Sequence, residues 1–195
     1  MRAKLCIILL CLSSLTLTGC QSSGKIETAS IIENVSIAED NGKICYTFYT
    51  LTGGDKPWGI KIPASSFESA CDLAEREYIP NLSLSKLELL MIEDTLVDKV
   101  MKNDIEYIST QPSFSPAALV TLCDKKTIEK FAETTREQNL IEEQLILLKN
   151  NNPEVNISYL SVFNNFESDK NSEFTVGYIT CGEELSVNEK KLKKD

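Results

Sequence analysis

The sequence contains no histidine. This removes the Ser-His-Asp and Cys-His routes to an activated nucleophile, His-ligated metal sites and the usual proton shuttle near pH 7. It also has no C-x-x-C pair and no apolar run long enough to span a bilayer comfortably. Basic side chains number 20 against 29 acidic ones, a net charge of −9, which argues against a nucleic-acid surface because neutralising phosphates needs clustered cations. What is present is 195 residues, 42% hydrophobic, which suits one globular domain, or at most two small ones, able to bury a core.

The first residues read as an export signal. Arg2 and Lys4 form a short positive region, Leu5 to Leu12 an apolar stretch, and Leu17-Thr18-Gly19-Cys20 closes it with small residues before a cysteine. That ending looks like a bacterial lipobox, in which Cys20 receives a diacylglyceryl group and becomes the new N-terminus. Two acyl chains suffice for stable anchoring, at roughly 0.8 kcal/mol per buried methylene. The expected organisation is a signal peptide over 1–19, a tether over 20–27, a folded domain over 28–185 and a lysine-rich, frayed tail over 186–195. The expected location is the outer face of a cytoplasmic membrane.

Four cysteines remain in the expected domain: Cys45, Cys71, Cys123 and Cys181. Each sits among apolar neighbours, which suits buried thiols acting as small hydrophobes. An exported location also permits one or two disulfides, with three connectivities if all four pair. A four-cysteine metal site lacks its usual paired spacing. No cofactor or metal is expected.

Along the chain, Ile31, Val35 and Ile37 share a parity. Ile44, Tyr46 and Phe48 alternate with Cys45, Thr47 and Tyr49 across the turn at Asp40-Asn41-Gly42, which predicts a β-hairpin. Residues 52–63 read as a loop carrying Gly53-Gly54 and the single tryptophan, Trp58. The glycine pair lacks the Lys-Ser/Thr that completes a phosphate loop. Trp58 is a candidate partner contact, with packing back onto the core as the plainer alternative. Ser65 and Glu68 suggest a capping box for a helix over about 64–78. Leu87 to Ile92 and Ala117 to Cys123 suit short buried strands. Helical spacing recurs at Leu96, Val97, Val100 and Met101. It recurs again at Ile128, Phe131 and Ala132, with Asp124 as cap, then at Ile141, Leu145 and Leu148, and at Tyr159, Val162, Phe163 and Phe166. Phe174, Val176 and Tyr178 indicate a last strand. The expected class is α+β: a single domain with a mixed β-sheet, an N-terminal β-hairpin and packed helices.

No catalytic constellation is expected. Glu142 and Glu143 are adjacent on a helix and cannot face each other, and Glu75 with Glu77 has the same defect, so neither is an acid/base dyad. The residues favour a non-enzymatic role, with a solute- or ligand-binding surface lipoprotein as one alternative.

Several segments resemble a known family. They are the lipobox Cys20, the first strand with its early glutamate (Glu27-Thr28-Ala29-Ser30-Ile31-Ile32), the hairpin turn Glu39-Asp40-Asn41-Gly42-Lys43, the serine-rich helix entry at 65–70, and the run Leu84-Ser85-Lys86-Leu87-Glu88-Leu89-Leu90-Met91-Ile92-Glu93-Asp94. In this order they are similar to the N-terminal domain of the lipoprotein C subunit of Ger-type spore nutrient-germinant receptors. Gln21-Ser22-Ser23 and Ser36-Ile37-Ala38 depart from the family, which usually has an aromatic and charged cluster and Gly-Ile-Asp at these places. The resemblance implies a non-catalytic, lipid-anchored subunit acting in spore germination, in contact with polytopic receptor subunits and lying in the spore inner membrane.

Overall fold

The computed structural model describes residues 29–50, 58–111, 114–115, 117–133, 136–168 and 173–193. Cys20 and the expected signal, tether and Gly53-Gly54 lie outside them.

The hairpin forms as the turn chemistry dictates. Strands β1 (Ser30–Asp40) and β2 (Lys43–Thr50) pair antiparallel around Asn41 and Gly42, both at positive φ (51° and 76°), the geometry a two-residue turn requires. β3 (Trp58–Pro63) then pairs antiparallel with β2. The second half of the expected loop is therefore an edge strand, stabilised by Ile60 and Ile62, whose side chains enter the core beside Tyr46 and Phe48. Helix α1 (Phe67–Glu77) follows; its cap is Ser66 rather than Ser65. The Ser66 and Ser69 hydroxyls satisfy each other's backbone N–H groups, at 3.2 and 3.1 Å.

Beyond α1 the chain makes the two-residue strand β4 (Leu82–Ser83) and then β5 (Leu89–Glu93), both parallel to β1. A 3₁₀ turn at Asp94–Leu96, α2 (Val97–Asn103) and α3 (Ile105–Thr110) lead to β6 (Leu119–Cys123), parallel to β5. Helices α4 (Lys125–Glu133) and α5 (Arg136–Asn151) precede β7 (Val155–Asn156), α6 (Tyr159–Glu167) and the closing hairpin of β8 (Glu173–Cys181) and β9 (Leu185–Lys193). The sheet runs β3-β2-β1-β5-β6-β8, with β9 on the outer side of β8 and β7 wedged between β6 and the start of β8. Four parallel strands thus form the centre and an antiparallel hairpin finishes each side. The fold is a single α+β domain with a mixed sheet.

Strand parity sorts the core into two layers. Val35, Ile37, Tyr46, Phe48, Leu90, Ile92, Val120 and Leu122 face α1, α2, α3 and α6, whereas Tyr49, Leu89, Met91, Cys123 and Ile179 face α4 and α5. Phe67, fully buried at the first position of α1, meets Tyr46 and Phe48 at ring separations of 5.8 and 6.0 Å. Burial of one such side chain contributes about 1.5–3 kcal/mol.

Three further expectations change. A β-bulge between Ile32 and Asn34 breaks the shared parity of Ile31 with Val35, so Ile32 enters the core and Ile31 is left at the surface. Ala132 is exposed, and α4 buries Thr127, Ile128 and Phe131 instead. Residues 186–193 are not a frayed tail but most of β9, in continuous register with β8. Lys190 is fixed in that strand at 2.7 Å from Asp94 and 4.5 Å from the centre of the Tyr178 ring, so its charge is neutralised while its stem covers apolar surface.

Candidate functional site

A concavity lies at the end of the sheet where β1, β4 and β5 begin. Pro80 stops α1, and Asn81 adopts a left-handed conformation (φ 55°), a shape that asparagine tolerates. The turn is pinned by Ser30, whose N–H donates to the Asn81 carbonyl (3.1 Å) and whose hydroxyl donates to the Pro80 carbonyl (2.9 Å). Between this turn and the start of β1 opens a groove of about 380 Å³, lined by Ala29, Ile31, Leu82, Asn81, Ser83, Ser85, Glu75 and Lys86. Its floor is apolar. One carboxylate, one ammonium and two hydroxyls at its margin supply both donors and acceptors. This volume lies at the lower end of the range for small-molecule sites and equally suits an inserted side chain of a partner.

Trp58 belongs to the same end of the molecule. Sheet register aligns Ile32 with Thr50 and Thr50 with Trp58, so the first residue of β3 stands two strands away from the groove, roughly 10 Å at normal strand spacing. Cys20 lies nine residues before Ala29, which a fully extended chain spans in at most about 30 Å. Cys20 itself lies outside the described residues.

On the α5 face, the charges of Glu33 and Glu88 act on Glu142 of α5. Glu33 sits at the bulge in β1, and the Glu88 N–H donates to the Glu33 carbonyl at 2.7 Å. Glu142 of α5 lies near enough to Glu88 and Glu33 for their charges to act on its carboxyl. Burial, then repulsion and the hydrogen bond from Glu88, then Glu33, push the Glu142 carboxyl up to about 7. Glu33 is raised by burial and by Glu88, with Lys86 opposing. Sequence spacing rules out Glu142 with Glu143, but it carries no signal for Glu142 with Glu88, because that contact is made across two elements.

At the opposite end, where the parallel strands finish, the acidic groups are engaged by their neighbours. Glu93 accepts the Glu39 N–H (2.7 Å) and the Thr95 hydroxyl (3.0 Å), and Asp124 caps α4 through the Thr127 N–H (2.7 Å). Asp94 accepts from the Tyr178 hydroxyl (3.1 Å) and from Lys190. Asp40 pairs with Lys61 at 3.2 Å and Lys125 at 3.7 Å. Among the described residues no group of three or more Cys, Asp or Glu side chains is arranged to hold a metal ion. The four cysteines of the domain are free thiols; Cys45, Cys71 and Cys123 are buried, and burial pushes the Cys71 thiol up to about 12. No described helix is long and apolar enough to cross a membrane.

Compared with known proteins, the chain matches no family model, no curated protein and no solved structure.

Proposed function

We propose that this chain is a non-catalytic, lipid-anchored interaction module of the germinant-receptor C-subunit type, acting in spore germination through contacts with polytopic membrane subunits. The observation that carries the reading is the clustering at one end of the sheet. The entry point of the chain, the apolar groove beside Ile31 and Leu82, and the backbone of Trp58 all lie there, within a short tether's reach of Cys20. A surface held that close to a bilayer meets membrane proteins before anything else. The segments that resemble the family fall, in order, on β1, the β1–β2 turn, the entry of α1, and β5 with the turn after it.

The test is co-purification from detergent-solubilised membranes of sporulating cells. Tagged wild type is to be compared with Cys20→Ala, Ile31→Glu and Trp58→Ala, and captured proteins are to be identified by mass spectrometry. Recovery of polytopic subunits by wild type, reduced at least several-fold by each substitution, is the expected result. Protein abundant in vegetative membranes, with no polytopic partner in spores, would overturn the reading. The groove volume favours a second reading, a lipoprotein that captures a small solute at Ile31, Leu82 and Lys86. Thermal-shift screening of the wild type against Ile31→Glu separates it from the first.

A further inference from the structure

The closing hairpin leaves its outer side open. Opposite residues of an antiparallel pair either exchange both backbone hydrogen bonds or neither, and bonds to other elements fix the phase of β8 against β9. The Thr175 and Gly177 carbonyls accept from Asn156 (3.0 Å) and Thr121 (2.9 Å), on the side of β8 away from β9. Thr175 lies opposite Lys191 and Gly177 opposite Glu189, so these residues of β9 do not bond back to β8. Val187 agrees: its N–H donates at 3.1 Å to Gln144 of α5, which stands where a further strand would place a carbonyl. The backbone groups of Glu189, Lys191 and Lys193 therefore point outward, and among the described residues no strand pairs with them.

Two features mark this edge. Leu140, Gln144 and Leu147 are spaced i−4, i and i+3 and share one flank of α5, so the flank that touches β9 at Val187 also carries two leucines, 46 and 58% exposed. An unpaired strand and an apolar helix flank thus bound one shelf. The second feature is charge: β9 holds three lysines against one glutamate, in a chain whose net charge is −9. Lys190 is taken by Asp94, and Glu189 accepts from Asn152 at 2.6 Å. Lys191 and Lys193 are exposed, share the Val187 face and have no ion-pair partner among the described residues. Lysines suffice to guard an edge against stray pairing; exposed leucines beside them serve no such purpose.

We propose that the shelf between β9 and α5 takes an extended acidic segment of a partner protein, added to the sheet as a further strand. The outward N–H and C=O groups of Glu189, Lys191 and Lys193 hold its backbone. On the α5 face its side chains meet the leucine flank toward Val187 and the two free lysines toward the end of β9. The segment therefore carries apolar residues in one half and acidic ones in the other. Opposite charge selects the partner, and the backbone bonds fix its register. This inference is independent of what the groove binds.

The probe is a short synthetic peptide with a valine-rich half and a glutamate-rich half, set against the same peptide with lysine for glutamate. Amide hydrogen exchange is read on the full chain in detergent micelles. With the acidic peptide at millimolar concentration, the Glu189, Lys191 and Lys193 amides are expected to exchange at least tenfold more slowly, while Asn188 and Lys190, which face β8, stay unchanged. Lys191→Pro removes one outward donor and no bond to β8, a place where an edge strand tolerates proline. It is expected to weaken binding at least tenfold, and Leu147→Asp, which leaves the strand intact, to do the same. Lys191→Glu with Lys193→Glu is expected to reverse the preference between the two peptides. No protection in the wild type would overturn the proposal, as would equal binding by both Lys191→Pro and Leu147→Asp, which would leave only diffuse charge attraction. Self-association of the chain that buries these amides without peptide would overturn it too, as would binding of anionic lipid vesicles through Lys191 and Lys193 with no response to the peptide.

Discussion

Asp104 and Tyr46 are 58 positions apart in sequence, and their side chains meet at 2.7 Å, with the Tyr46 hydroxyl donating to the carboxylate. The other oxygen of Asp104 accepts the N–H of Phe67 at 2.9 Å, one of the otherwise unpaired amides that open α1. One carboxylate, 1% exposed, therefore joins the hairpin, α1 and the start of α3. Burial pushes it up, against the downward pull of these two bonds and of Lys99. Removing the side chain in Asp104→Ala leaves a buried phenol and a helix amide without partners. This is expected to cost about 3 kcal/mol in urea unfolding.

Tyr46→Phe separates the charge from the cavity. The bond it removes favours the ionised form of Asp104, so its cost is expected to be about 1–3 kcal/mol at pH 7 and smaller in acid, as the carboxyl, raised by burial, takes up its proton. Paired denaturation curves at the two pH values check this; a constant difference would show that the bond does not act on the charge.

At Gly177 the Leu145 side chain of α5 lies directly against the backbone of β8. A Cβ there would stand 2.6 Å from Leu145 Cδ2 and 3.4 Å from Ile157 Cγ2. Leu145 can turn aside for a methyl group, but a branched side chain meets both walls. Gly177→Ala is expected to cost about 1 kcal/mol and Gly177→Val about 3 kcal/mol, measured as the midpoint of chemical unfolding.

The thiols should report on burial directly. Cys181 is half-buried at the end of β8, whereas Cys45, Cys71 and Cys123 are enclosed. Under native conditions one thiol of the domain is expected to react promptly with an aromatic disulfide reagent, and the other three only on unfolding. Prompt reaction of Cys71 would show that α1 opens far more readily than its packing allows.

Lys190 and Asp94 form one of the contacts between the closing hairpin and the segment after β5. Burial by itself would raise Asp94, but the hydrogen bonds from Lys190 and Tyr178 prevail and its carboxyl lies below the ordinary value. A lowered carboxyl stabilises above its unfolded value and loses that contribution as pH falls through the folded one. Lys190→Met is expected to lower stability by about 0.5–1 kcal/mol at neutral pH. The difference should shrink in high salt and in acid, because the pair is partly exposed. Melting curves at two salt concentrations follow it.

The elements legible from sequence are those whose apolar spacing is regular. Phe67, Ala70, Cys71 and Ala74 announce α1, and Leu89 to Ile92 announce β5, because each buries a stripe or a run against the core. The errors have local causes. The bulge at Glu33 shifts parity by one residue, and nothing in Ile31-Ile32-Glu33-Asn34 marks it. The strand β9 was hidden by its lysines, since an edge strand needs only one partner and commonly carries charge on its open side. Trp58 was recognisable as unusual, but its place at the same end as the groove depends on register with β2. The meeting of Glu88 with Glu142 was invisible for a similar reason: it depends on where α5 lands, not on any spacing along the chain.

The arrangement of the central strands sets the order in which the molecule can be completed. Thr121 bonds to Gly177 across 56 positions and Lys190 to Asp94 across 96, and β7 must be seated between β6 and β8 before that side closes. Local contacts can form the first hairpin and α1 early, but the parallel centre stays open on the β6 side until the last strands have been synthesised. A chain of this connectivity folds late and slowly.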